Sequence, residues 1–309
     1  MALPAAESTI NAMPLPLANL PAQRVRRRFI GADTHGSHAI DAPAAIRLWH
    51  LASLDAPTVA VVWTLSLARA ADVRLPAWVP VLLALGVWSV YIGDRLLDAR
   101  SAMSRCNLAS LRERHFFHWR HRRTLLPAAL AAACVCAALV FTQMPIAFRE
   151  RNSALAAAAL AYFSGVHLPR RPRRFSPLVS KELLVGVLFA AGCALPTLTR
   201  VSPGNLCSTA AVSLVFAALA WLNCHSIDRW ESAPHAHIAP KAFVLTAAAV
   251  IAACTLAVAR PRAAELLVAA ALSAMLLALL DRGRARLTPL ALRAAADVVL
   301  LTPLALLLR

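Results

Sequence analysis

Nine stretches of roughly 17 to 21 residues, each about long enough to cross a bilayer as a helix, follow one another along this chain with short arginine-rich connections between them. Apolar types make up 60% of the 309 residues, and mean hydropathy is +0.62. That is more than a water-soluble chain carries, and no stretch shows the alternation of an outer-membrane barrel. The expected fold class is all-α, a polytopic membrane bundle of about nine transmembrane helices. The spans are expected at about 52–71, 77–97, 124–144, 152–168, 178–198, 206–226, 242–259, 263–280 and 288–308.

A net charge of +17 fits a membrane surface better than nucleic acid, because the arginines lie in the connections between apolar runs. With a cytoplasmic N-terminus, about three quarters of the 32 Lys and Arg fall on the cytoplasmic side, which sets the orientation. An integral protein of a bacterial inner (cytoplasmic, plasma) membrane is expected, with membrane lipid as a partner and no nucleic acid. Residues 1–45 hold Arg24, Arg26, Arg27 and Arg28 but no apolar run after them, so they read as a disordered cytoplasmic tail rather than an export signal. Residues 46–309 form the membrane domain. The seven cysteines form no C-x-x-C pair, and most sit within apolar runs as small hydrophobes.

The second span finishes in Tyr91-Ile92-Gly93-Asp94-Arg95-Leu96-Leu97-Asp98. Asp94 and Asp98, at i and i+4, share one helix face. Carboxylates at bilayer depth cost roughly 2.5–3.5 kcal/mol on insertion scales, so they normally face a polar cavity; the alternative is that both are ordinary solvated helix-end charges. The sixth span ends in a similar way, with Asn223, then Asp228-Arg229-Trp230-Glu231. Both ends face the same side of the membrane in a nine-span topology. Lys181 and Glu182 open the fifth span, where a lysine either snorkels to the interface or binds phosphate at the helix N-terminus. Of the intramembrane acids, Asp55 reads as an N-cap at the start of the first span and Asp297 as the partner of Arg293, one turn earlier. His115, His118 and His121 recur every three residues in a basic, aromatic connection. An interfacial helix holding anionic headgroups explains them better than a metal site.

Taken together, these residues resemble the UbiA superfamily of intramembrane prenyltransferases, which have nine transmembrane helices and cytoplasmic acidic motifs after helices two and six. Asp94-Arg95-Leu96-Leu97-Asp98 is similar to the second half of that family's N-D-x-x-D-x-x-x-D motif, with Val90 and Tyr91 where Asn and Asp are expected. Asp228 and Glu231 match the looser second motif, and Lys181 with Gly186 the lead-in to helix five. The resemblance covers about residues 45–309. It implies transfer of an isoprenyl group from an isoprenyl diphosphate to an aromatic or lipid-like acceptor, with Mg²⁺ assisting departure of the diphosphate. It implies Asp94, Asp98 and Asp228 as catalytic residues and Asp94, Asp98, Asp228 and Glu231 as magnesium ligands. Lys181, Arg95, Arg229 and Asn223 would bind the diphosphate. A non-catalytic isoprenoid-binding relative and a small-molecule transporter are the alternatives.

Overall fold

Proline lacks the N–H that the first helical turn leaves unpaired, and its φ is already helical, so it opens helices readily. The computed structural model of the chain, which describes residues 39–104, 113–167, 180–233 and 237–309, uses this device repeatedly. In chain order its helices are α1 (Ala44–Leu51), α2 (Asp55–Ala70), α3 (Trp78–Ser104), α4 (Glu113–Arg120), α5 (Arg122–Gln143) and α6 (Ile146–His167). They continue with α7 (Lys181–Leu198), α8 (Pro203–Ser232), α9 (Ala239–Leu256), α10 (Pro261–Gly283), α11 (Pro289–Val298) and α12 (Leu304–Leu307). Pro203, Pro261 and Pro289 are first residues of their helices, and Ser180 and Thr288 cap α7 and α11 by accepting from Leu183 N and Ala291 N at 3.2 Å.

Among the described residues, seven segments are long and apolar enough to cross a membrane, which points to an integral membrane protein: α3, α5, α7, α8, α9, α10, and α11 running on into α12. The described residues thus hold seven such segments, or eight if α1 and α2 make one bent span, against an expected nine. The first expected span is broken: α1 and α2 qualify only as a pair bent by 89°, and α2 alone has 16 residues. The fourth falls short because α6 opens with Arg149, Glu150, Arg151 and Asn152 in its first turns. Gly192 and Pro196, residue types that often break helices, lie inside an unbroken α7.

The basic cluster Arg24–Arg28 and the rest of 1–38 lie outside the described residues, as do 105–112, 168–179 and His235. The expected tail boundary at about 45 moves earlier. From Ile40 the chain is docked, since Ile40 pairs in parallel with Leu287 through Ile40 N to Arg286 O (2.8 Å) and Thr288 N to Ile40 O (3.0 Å).

Short α2 occupies the middle of the bundle, packed by α3, α7, α8, α10, α11 and α12. Its Trp63 is fully buried, stacks on Phe216 of α8 at 4.0 Å between centroids, and donates from Nε1 to Leu300 O at 2.9 Å. The indole thus supplies apolar area while its one polar atom is satisfied. Thr64 in turn donates to Cys193 O of α7 at 3.1 Å. A buried carboxylate, Asp281 at the end of α10, sets the start of α9 by accepting from Ile238 N (2.9 Å) and Ala239 N (3.1 Å), as well as from Trp230 Nε1 (2.8 Å) and Arg284 (3.0 Å). Those are amide donors that a helix start leaves unpaired, and the negative charge suits the positive end of the helix dipole.

α7 and α8 approach most closely at Gly186, where an added Cβ would lie 2.6 Å from Trp221 N and 2.7 Å from Trp221 Cα. Since the obstruction is backbone, the helices themselves must separate to admit a side chain. Gly186→Val is expected to lower stability by about 1–3 kcal/mol through overpacking, read as a lower unfolding midpoint in detergent. An unchanged midpoint would show that the crossing tolerates the wider spacing.

Candidate functional site

The bend between α1 and α2 creates the most polar interior of the molecule. Ser53 adopts φ 56°, the left-handed conformation that usually falls to glycine. Leu54 N bonds to Trp49 O and Ser53 N to His50 O, both at 3.0 Å, so α1 ends in the paired 6→1 and 5→2 bonds of a Schellman motif. The carbonyl of Ala52 accepts from Trp88 Nε1 at 3.0 Å. Chain direction then turns, and the last turn of α1 comes to lie beside the first residue of α2. The negative end of one helix and the positive end of the next thereby present His50 and Asp55 to each other, the polarity each prefers.

His50 Nδ1 lies 2.7 Å from Asp55 Oδ2 and 3.5 Å from Asp297 Oδ2, contributed by α11. Arg95 of α3 reaches within 4.0 Å of Asp55, with its guanidinium 5.8 Å over the Tyr91 ring. Asn223 of α8 donates from Nδ2 to Asp297 Oδ1 at 3.1 Å. His50, Asp55, Arg95 and Asn223 are 3%, 2%, 7% and 6% exposed and the Asp297 side chain 17%, so α1, α2, α3, α8 and α11 meet over a largely buried centre. Among the described residues His50, Asp55 and Asp297 are the one group of three whose His and carboxylate ligand atoms lie within 4.8 Å of one another.

Two expected pairings change here. Asp55 does not cap α2: Leu54 holds that position without a side-chain bond, and Asp55 turns one oxygen to Ala56 N (2.9 Å) and the other to His50. Arg293 joins Glu231 of α8 rather than Asp297, since α11 turns the two residues toward different neighbours. Glu231, an expected magnesium ligand, thus has its charge compensated.

The other expected residues lie at the rim of this end of the bundle. Asp94 is half-buried, Asp98 and Asp228 are exposed, Lys181 is exposed and Arg229 half-buried. Arg95 and Asn223, expected on the diphosphate, face inward instead. Asp94, Asp98 and Asp228 are oxygen donors of the kind Mg²⁺ shares with water and phosphate, but they do not form a group of three with ligand atoms within 4.8 Å of one another. A further cation sits nearby: Lys241 Nζ is 2.8 Å from His225 Nε2 and 5.6 Å over the Trp221 ring, which itself stacks on His225 at 5.3 Å between centroids.

His118 of α4 and His121, which follows it, do not gather as ligands. His118 is fully buried with Nδ1 2.7 Å from Arg114 O and Nε2 3.2 Å from Ser53 Oγ, whereas exposed His121 turns to Phe117 O at 2.8 Å. A neutral ring satisfies both contacts of His118, donating from Nδ1 and accepting from the Ser53 hydroxyl. Burial above all, helped by the charges of Arg95 and Arg114, pushes its pKa from 6.5 down to about 4, against the pull of the Arg114 carbonyl. Above 6.5 folded and unfolded chains are both neutral here; between 6.5 and about 4 only the unfolded chain takes up the proton, so stability falls as pH drops through that window. The unfolding midpoint is expected to fall less steeply over this range in His118→Gln, which keeps a donor and an acceptor but cannot titrate. Equal slopes in the two proteins would mean that His118 already accepts a proton in the folded state.

No protein-family model, curated protein or solved structure matches this chain, so its own residues and distances carry the functional reading.

Proposed function

We propose that this protein is an intramembrane prenyltransferase of the UbiA type, moving an isoprenyl group from an isoprenyl diphosphate to an aromatic or lipid-like acceptor. The observation that supports this reading is that the two motif-bearing helices turn toward one centre: Arg95 of α3 and Asn223 of α8 border the same buried cluster through Asp55 and Asp297. Their neighbours Asp94, Asp98 and Asp228 lie close by on the same helices, which are embedded in apolar surroundings suited to a prenyl tail.

In this reading Lys181 and Arg229 bind diphosphate oxygens, with Lys241 close by as a further cation. Asp94 and Asp98 hold Mg²⁺, with Asp228 contributing from the second helix. When bound, the ion neutralises charge on the departing diphosphate. Arg95 serves as a positioning residue, fixing the end of α3 against Asp55. Apolar helix faces keep water from the allylic centre while the acceptor approaches.

Purified protein is expected to release pyrophosphate from an allylic diphosphate only with Mg²⁺ present, and Asp94→Ala and Asp228→Ala are each expected to lose roughly a hundredfold or more of that rate. Full activity in both variants would overturn the site assignment. Binding of the diphosphate without turnover would instead favour a non-catalytic isoprenoid-binding protein, a reading to which the occupied Glu231 and the residues Val90 and Tyr91 lend weight.

A further inference from the structure

Charge around His50 does not close through protein ion pairs of good geometry. Asp55 and Asp297 bring two carboxylates, and Arg95 at 4.0 Å from Asp55 answers one of them. An imidazolium at His50 would answer the other. Yet His50 Nδ1, although within 2.7 and 3.5 Å of the two carboxylates, is not aligned for a hydrogen bond with either. Asn223 Oδ1 is buried without a hydrogen-bond partner among the described residues, on the same amide whose nitrogen holds Asp297. Orphaned buried acceptors cost about 1–3 kcal/mol and are rarely left so without a ligand or water to meet them.

We infer that His50, Asp55 and Asp297 bind one divalent first-row transition metal of the Zn²⁺ type, with Asn223 Oδ1 as a further oxygen donor. Ligand atoms about 2.1 Å from a shared ion stand roughly 3.0–3.4 Å from one another in octahedral or tetrahedral geometry. The separations of 2.7 and 3.5 Å about Nδ1 bracket that range, so small side-chain shifts suffice to admit the ion. An imidazole nitrogen with carboxylates selects zinc and its neighbours over Mg²⁺, which prefers oxygen alone. The nitrogen of the same Asn223 amide holds Asp297 in place, while Arg95, outside the ligand set, offsets the second carboxylate charge, a role that outer residues play at metal centres. Ser53 in its left-handed conformation is what allows His50 and Asp55 to share a ligand, being the pivot between the helices that carry them. The inference is independent of prenyl transfer, since Asp94, Asp98 and Asp228 take no part in it.

The test uses the full chain in detergent, stripped with chelator and without any prenyl diphosphate. Calorimetric titration is expected to show one Zn²⁺ per chain, with Mg²⁺ at least tenfold weaker, and Co²⁺ is expected to give visible absorption bands from an imidazole-containing site. Asp297→Asn and His50→Gln should each weaken Zn²⁺ binding by at least tenfold, while His237→Ala, at an exposed histidine, should leave it unchanged. Thermal unfolding establishes that each variant is folded, and Asp297→Asn, which keeps the side-chain shape, decides the matter should His50→Gln not fold. Absence of stoichiometric Zn²⁺ in the wild-type chain, or equal affinity in wild type and Asp297→Asn, would overturn the inference and leave His50 as an imidazolium between two carboxylates.

Discussion

Two carboxylates removed from water must be answered by positive charge or hydrogen-bond donors, and in this bundle that demand fixes how five helices meet. Asp55 and Asp297 come from opposite ends of the membrane domain, yet both face His50, with Arg95 and Asn223 on either side. Uncompensated, each would cost several kcal/mol in such surroundings. The arrangement therefore specifies more than it stabilises. Sliding α3 or α8 by one turn would remove Arg95 or Asn223 from the centre and leave a buried charge unanswered.

The backbone pays for this convergence at a single residue. A serine in the left-handed region, sealed inside the protein, stands where glycine would be the relaxed choice. What holds it there is visible: its hydroxyl meets His118, and the neighbouring carbonyl meets Trp88. A conformation over-determined by its surroundings in this way is characteristic of functional centres. Elsewhere polar groups are used more conventionally, as at Asp281, whose carboxylate meets the two amides that open α9.

The helical architecture was largely legible in the sequence. Apolar runs located every long helix, because length and hydropathy are local properties that lipid-facing segments display directly. Misreadings arose where one residue's partner lies far along the chain. Arg293 and Asp297, at i and i+4 on one helix, looked like a self-contained pair, but nothing local tells that Glu231 and His50 compete for them. His50 went unnoticed because it precedes the first apolar run, beside a stretch that reads as tail. Its importance depends on the turn at Ser53, and a Schellman end built on serine lacks the glycine that would have announced it. The acidic residues Asp94, Asp98 and Asp228, by contrast, stand out as candidates from spacing alone. Their neighbours Arg95 and Asn223 are legible as diphosphate candidates in the same way, whereas their contacts with Asp55 and Asp297 depend on residues far along the chain.

Central α2 measures about 24 Å from its 16 residues, against a hydrocarbon thickness of roughly 30 Å. Both its ends are closed by left-handed residues of the same φ, Ser53 and Asp72. The His50 cluster sits at one end of this short core helix, among the longer helices packed around it. The ring of longer helices shields lipid from the shortfall, so polar chemistry can be sunk below the level of the headgroups without thinning the bilayer around it. The buried charge gathered at the Asp55 end gives this central helix a sense of direction within the bundle.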